Sequence, residues 1–299
     1  SRHLGPNVTV YPAVGNHEST PVNQLPPALH PRQQIFWLAL QRDGRGMGAV
    51  VARSSLENFE VHVFLNTYTC CYDTNFWLMV NSTDPANQLQ WLVHILQASE
   101  DKGEKVHIIG HIPPGLFWNV YFNKLLSQYV ALIKTIINNQ FTGQFFGHTH
   151  LDEFQMFYDE ETMTRPVGVA FVAPSVTLTG SSRLVLDHET YILNLTEANR
   201  PAVLRDPVEE PKWTLLYRAT EAYSLSTTFP SDYHLLLQTF IKDDRVFQKF
   251  WYLRHKGHVS EVCKETCKTT VLCFLQNGRS DQLEQCDLIH GFEGSMGRP

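Results

Sequence analysis

The sequence predicts an α/β fold: a largely parallel sheet covered by helices, followed by a helical, disulfide-bonded C-terminal domain. Three observations predict it. Apolar runs rich in β-branched or aromatic residues, leading into Gly15-Asn16-His17, Gly110-His111 and Gly147-His148, read as buried strands. Helical patterns precede the second and third of these runs, and strand-helix-strand succession makes neighbouring strands parallel. Four of the six cysteines, Cys263, Cys267, Cys273 and Cys286, crowd the C-terminal end behind a proline-rich stretch.

Taken in order, the first strand covers residues 8–14 and ends at Gly15-Asn16-His17-Glu18. Residues 19–32 are proline-rich and read as an irregular loop. Residues 34–40 are apolar and suit either strand or helix, and the glycines of residues 43–48 break any regular element. A strand is expected at 60–66. Asp84 and Pro85 then supply an N-cap and a first helical position, and Leu89, Leu92, Val93 and Leu96 recur at the spacing of one buried helical face. Gly103 should stop that helix before the strand at Val106. A second helix, about 120–138, leads to the strand at Phe145. In each of these strand ends, the glycine is expected to let the backbone turn sharply into the polar residue.

Past His150 the pattern changes to that of antiparallel strands completing a second sheet, at 153–158, 167–172, 183–186 and 191–195. Pro201, Pro207 and Pro211 mark 201–212 as a linker. Residues 213–223, 233–241 and 245–255 have helical patterns. The expected organisation is therefore a core at 1–200, the linker at 201–212 and a helical, cysteine-rich domain at 213–299.

Composition narrows the function classes. The chain has 299 residues, of which 43% are hydrophobic and 18% charged, enough to bury a substantial core. A formal net charge of −6 gives no basic footprint for nucleic acid, and no uninterrupted apolar run reaches the length of a transmembrane span. Ser1-Arg2-His3 has neither an initiator Met nor a signal-like leader, so the chain reads as an N-terminally incomplete or processed piece. The acceptor sequences at Asn7, Asn81 and Asn194 agree with the clustered cysteines in pointing to a secreted or lumenal glycoprotein. The four tail cysteines suit disulfides or, alternatively, a Cys₄ zinc site.

Asn16, His111, His148 and His150 form the candidate metal-ligating set, because carboxamide and imidazole groups at the carboxyl ends of strands suit a hydrolytic zinc or iron site with an open position for water. In His148-Thr149-His150, the i and i+2 side chains of an extended backbone point the same way and can reach one centre or a close pair. Phe76, Trp77, Phe117, Trp118 and Tyr121 are candidates to face a choline headgroup, since aromatic faces attract quaternary ammonium; core packing is the plainer role for each.

These words resemble the later motifs of the calcineurin-like metallophosphoesterase superfamily. Longer stretches, GNHESTPVN at 15–23, NSTDP at 81–85, VHIIGHIPPG at 106–115, residues 144–153, LDHETYILNLT at 186–196 and Lys256-Gly257-His258, resemble its acid sphingomyelinase family over most of the chain. The resemblance implies a metallophosphoesterase-type β-sandwich flanked by helices, here without its first βαβ portion. It also implies a dizinc phosphodiesterase that cleaves sphingomyelin at a membrane surface, in lysosomes or outside the cell. Asn16, His111 and His148 would bind one zinc and His150 the other. His17 would stabilise the transferring phosphoryl group or protonate the leaving alcohol, its alternative being to orient a metal ligand. Cys263 would pair with Cys267 and Cys273 with Cys286.

The departures shape the same expectation. The family's Asp-x-His and Gly-Asp motifs would precede Gly15, the stretch 32–57 departs from the family pattern, and 175–182 lacks a strand-containing insert. Leu116-Phe117 stands where the family places a cysteine, which leaves the partner of Cys70 or Cys71 open. At most one well-bound zinc and impaired turnover are expected of this chain. A nucleotide-preferring phosphodiesterase, and a non-catalytic glycoprotein that keeps the fold, are the competing readings.

Overall fold

A computed structural model describes residues 51–53, 60–65, 88–103, 105–113, 141–159, 162, 164–174, 185–198 and 212–278. The expected strand at 8–14, the helix at 120–138, the linker, the cluster Phe76, Trp77, Phe117, Trp118 and Tyr121, and Asn7, Asn16, His17, Asn81, Cys70, Cys71 and Cys286 lie outside these residues. The described chain falls into two compact units, one running up to Thr149 and the other from His150 to Gly278.

Among the described residues, the first unit holds four strands. β1 (Val51–Arg53) lies antiparallel to β2 (Glu60–Leu65). β2 runs parallel to β3 (Lys105–Gly110), pairing Glu60 with Lys105 through Leu65 with Gly110. β3 runs parallel to β4 (Phe141–Phe146), with the register slipping between Val106 and His107. The expected strand-helix-strand unit is present: α1 (Gln88–Asp101) packs on β2 and β3. Its buried face is Leu92, Leu96 and Ser99, spaced i, i+4, i+7, against Val106 and Ile108. Val93, expected in that face, is 38% exposed; one residue past Leu92 turns it about 100° away from the sheet. Gly103 ends the helix as expected, at φ +66, with its N–H donating to the Glu100 carbonyl.

The second unit begins with an antiparallel pair, β5 (Glu153–Tyr158) and β6 (Pro166–Val172). The Asp159 carboxylate fastens their connection, accepting the N–H groups of Thr162, Thr164 and Arg165. Alternation in β5 suggested one buried face, yet all six residues are buried. Two of its polar residues find partners inside, Glu153 pairing with Arg254 and the Tyr158 hydroxyl lying 2.9 Å from His234 Nδ1, whereas the buried Gln155 carboxamide has no hydrogen-bond partner.

Two expectations for the following segment change. The strand expected at 191–195 is β7 (Glu189–Ile192), followed by the one-turn α2 (Leu195–Ala198), while Val185 and Leu186 have no regular structure. The helix expected at 213–223 is instead strand β8 (Thr214–Arg218), antiparallel to β7, and only then α3 (Ala219–Tyr223). Thr214-Leu215-Leu216-Tyr217-Arg218 fits either period over so short a run. Pairing with β7 decides it, reinforced by the cross-strand Arg218–Glu189 ion pair at 2.6 Å.

Among the described residues three longer helices follow. In α4 (Pro230–Lys242), proline opens the helix, and Tyr233, Leu236, Leu237 and Phe240 form its buried stripe. Asp243 closes α4 and caps α5 (Asp244–Arg254), accepting from the Arg245 N–H at 2.9 Å. In α6 (Glu265–Gln276), Val271 to Leu275 are buried. The core is aromatic: Phe154, Phe171, Tyr217, Tyr223, Tyr233, Phe240, Phe247 and Phe250 meet in tilted or edge-to-face contacts, the arrangement ring quadrupoles favour. The Cys263–Cys267 disulfide staples the turn into α6, with Cα atoms 5.3 Å apart, and Cys273 is disulfide-bonded as well. Among the described residues no helix is long and apolar enough to cross a membrane.

Candidate metal centre

Two neighbouring parallel strands of the first unit deliver the centre. β3 ends at Gly110 and its next residue is His111; β4 ends at Phe146 and is followed by Gly147-His148. Since β3 and β4 are parallel and adjacent, both histidines emerge at the same end of the sheet, the carboxyl end where α/β sheets place ligands. The Gly147 N–H donates to the His111 carbonyl at 2.9 Å and locks the two exits together.

The imidazoles converge. His148 Nδ1 lies 3.1 Å from His111 Nε2, with ring centroids 5.0 Å apart and planes at 80°. Two nitrogens bound to one tetrahedral zinc at 2.0–2.1 Å stand about 3.3 Å apart. The observed separation is within a few tenths of an ångström of that value, so the pair fits two corners of a metal site as it stands. The same separation also spans an N–H···N hydrogen bond; holding a metal requires that both nitrogens present lone pairs. Among the described residues no group of three His, Cys, Asp or Glu side chains is assembled to hold a metal. Asn16, the third expected ligand, and His17 lie outside them.

The backbone at the second histidine differs from the sequence expectation. His148 has φ 73 and His150 φ 59, so His148-Thr149-His150 is not extended and the i, i+2 same-face rule does not apply. The Thr149 N–H donates to the Gly147 carbonyl at 2.9 Å, making His148 the centre of a γ-turn with positive φ, a rare and strained form. The glycines do not supply the sharp turn either. Among the described residues the positive-φ glycines are Gly103 and Gly257, not Gly110 or Gly147.

His150 opens the second unit and is exposed. Its carbonyl accepts from Lys256 Nζ at 2.7 Å, and the Asp152 N–H donates to the Arg254 carbonyl at 3.1 Å. Asn194 is exposed, and its carboxamide oxygen caps α2 by accepting from the Glu197 N–H at 3.1 Å.

A polar network that the motif reading left unassigned lies within the second unit, in the LDHETYILNLT word. Asp187 accepts from the N–H groups of His188 and Thr220 and from the Thr220 hydroxyl. His188 places one ring nitrogen 3.2 Å from the Tyr217 hydroxyl and the other 3.2 Å from that of Tyr233, with Phe171 edge-on. The Thr190 hydroxyl donates to Asp152. Burial pushes the His188 pKa down, against the opposing pull of Asp152 and Asp187. Burial also holds Tyr217, Tyr223 and Tyr233 well above an ordinary phenol. A histidine beside an aspartate in sequence was the available signal, but the tyrosines completing the network come from distant elements.

Comparison with known proteins follows the same division. The calcineurin-like phosphoesterase family matches residues 2–152, and the acid sphingomyelin phosphodiesterase C-terminal region matches residues 174–290. The chain is 45% identical to a bovine and to a human sphingomyelin phosphodiesterase, over 95% of its own length and 48% of theirs. It is 30% identical to a mouse cyclic GMP-AMP phosphodiesterase, over 95% of its length and 69% of that protein's. The chain thus spans about half the length of the sphingomyelin phosphodiesterases it matches.

Proposed function

Because the chain belongs to the calcineurin-like phosphoesterase family, we propose that it is a zinc-dependent phosphoric diester hydrolase acting on sphingomyelin, releasing ceramide and phosphocholine. The convergence of His111 Nε2 and His148 Nδ1 at the ends of adjacent parallel strands carries the metal half of this reading. The 45% identity to proteins named sphingomyelin phosphodiesterase supports the substrate.

His111, His148 and Asn16 would hold one metal and His150 the other. Bound metal supplies Lewis-acid polarisation of the phosphoryl oxygens and an acidified water as nucleophile. The chain's own part is positional. The Gly147 to His111 hydrogen bond and the γ-turn at His148 hold the two rings in convergence, so little reorganisation is needed when ligands bind. His17 would donate a hydrogen bond to the transferring phosphoryl group or a proton to the leaving alcohol. The tail disulfides, with Cys273 bonded to Cys286, and sugars on Asn7, Asn81 and Asn194 suit a lysosomal or secreted protein. The Cys263–Cys267 bond supports that setting. For domain organisation, a catalytic core at 1–200, a linker at 201–212 and a C-terminal domain at 213–299 remain the proposal.

Zinc per chain, together with hydrolysis of sphingomyelin and of a cyclic dinucleotide with and without chelator, tests the reading. Expected are zinc uptake that His111→Ala and His148→Ala each reduce by at least about tenfold in affinity, and sphingomyelin turnover that chelator removes. Faster cleavage of the dinucleotide would move the substrate to that named for the mouse relative. Zinc uptake indifferent to both substitutions would overturn the proposed centre.

A further inference from the structure

Within the second unit a polar connection joins α4 to the β7–β8 pair, and it runs through a histidine. His188, directly before β7, places Nδ1 3.2 Å from the Tyr233 hydroxyl of α4 and Nε2 3.2 Å from the Tyr217 hydroxyl of β8. Its backbone is fixed as well: the His188 N–H donates to Asp187, and the His188 carbonyl accepts from the Ala219 N–H at 3.0 Å. The imidazole therefore sits at a set place between two phenols on separate elements.

One arrangement of the hydrogens satisfies all three side chains. A neutral imidazole carries one N–H and one lone pair. Tyr233 is fully buried, and among the described residues its hydroxyl has His188 Nδ1 as its partner. The Tyr217 hydroxyl has a second partner, because the Asp152 carboxylate draws on it as a hydrogen-bond acceptor. A proton on Nδ1 would donate to Tyr233 and leave the Tyr233 hydroxyl hydrogen unplaced. With the proton on Nε2 every hydrogen is used: Tyr233 donates to Nδ1, Nε2 donates to Tyr217, and Tyr217 donates to Asp152. The connection is directional, and its direction requires a neutral imidazole.

We propose that this connection is an acid-released latch on α4: protonation of His188 turns Nδ1 from acceptor into donor and strips the buried Tyr233 hydroxyl of its acceptor. The groups facing His188 set the balance. Asp187, one residue before it, and Asp152, directly ahead of β5, attract the imidazolium, whereas burial opposes the charge and prevails. Tyr217, Tyr223 and Tyr233 remain neutral phenols, and Phe171 of β6 adds an apolar edge. Glu189 and Arg218 pair with each other at the surface. On α4, Asp232 accepts from the Thr227 hydroxyl, and His234 meets the Tyr158 hydroxyl at a partly exposed position where a protonated ring can turn to water. What the latch holds shut is the stripe Tyr233, Leu236, Leu237 and Phe240, so in acid α4 opens ahead of the rest of the unit.

Hydrogen exchange of the full chain between about pH 8 and pH 5, corrected for intrinsic exchange and read by mass spectrometry on peptides from α4 and α6, tests the latch. Below pH ~6.5, protection of α4 should fall by up to about tenfold per pH unit, that of α6 should fall less, and His188→Gln should remove the difference. At the alkaline end, the His188 ring, identified by its loss in His188→Gln, should show the Nε2–H tautomer in a nitrogen–proton correlation spectrum. An Nδ1–H tautomer would overturn the directional arrangement and the latch with it. Equal loss of protection in α4 and α6 would reduce His188 to a general contribution to stability and also overturn it. An α4 response that persists in His188→Gln and disappears in His234→Gln would place the sensitivity at the Tyr158 contact instead, with the same result for the proposal.

Discussion

Replacing Arg254 by methionine probes the most deeply placed charge pair among the described residues of the second unit. The Glu153 side chain is 1% exposed and that of Arg254 11%, and both guanidinium contacts fall on the same carboxylate oxygen at 2.7 Å. At that distance the attraction is about 6 kcal/mol for an effective dielectric constant near 20. Desolvation of the two ions offsets most of it, so the intact pair contributes little net stability. Removing the arginine is different, because a bare carboxylate then remains in the interior. Breaking such a pair by removing one partner typically costs about 3–5 kcal/mol. The stacking of the guanidinium over Trp251, 5.5 Å from the ring centroid, adds about 0.5–1 kcal/mol that pH does not alter. Arg254→Met should therefore cost about 3–5 kcal/mol at pH 7, read from urea unfolding followed by tryptophan fluorescence. Adding Glu153→Gln should return much of the pH 7 loss, since no charge is then left unpaired. A cost under about 1 kcal/mol, or a loss that Glu153→Gln leaves in full, would refute the reasoning.

Two further outcomes follow from the same unit. With its folded pKa below the unfolded value near 6.5, His188 favours the fold in its neutral form: that stability is complete above pH ~6.5 and is lost as pH falls through the folded pKa, at up to about 1.4 kcal/mol per pH unit. His188→Gln should flatten this acid limb in a pH series of unfolding midpoints, and an unchanged limb would count against His188 as its source. Gly278→Ala should cost about 1–3 kcal/mol by overpacking, because its Cβ would stand 2.7 Å from Phe157 Cε1 and 2.8 Å from the Met156 carbonyl oxygen; a stable variant with native midpoint would show that β5 gives way easily.

Local patterns sufficed where one physical requirement dominated. The β-branched residues Val106, Ile108 and Ile109 suit β3 as a strand, and Gly103 after α1 marked its end as the residue type that takes a positive φ without cost. The stripe Tyr233, Leu236, Leu237 and Phe240 likewise specifies α4. Sequence reasoning failed where a distant partner decides. Thr214–Arg218 is a strand because Glu189–Ile192 lies beside it, and Glu153 of β5 is buried because Arg254, a hundred positions on, neutralises it. At the candidate centre, residue types singled out His111 and His148, which the fold brings together. The γ-turn that aims one at the other depends on a backbone hydrogen bond which no side-chain pattern encodes.

That γ-turn bears on what the GHTH word requires. Glycine enters left-handed conformations freely, whereas an L-residue such as histidine at positive φ costs about 1–2 kcal/mol. In this chain Gly147 is adjacent and is not used for the purpose; His148 and His150 adopt φ 73 and φ 59 themselves. Economy of backbone strain would place glycine or asparagine at both positions. On the proposed reading, ligation by these imidazoles would offset roughly 2–4 kcal/mol of strain, held at His148 by the Thr149 N–H to Gly147 carbonyl bond and at His150 by the Lys256 ammonium on its carbonyl. Ligation of a metal ion is the kind of interaction large enough to repay it.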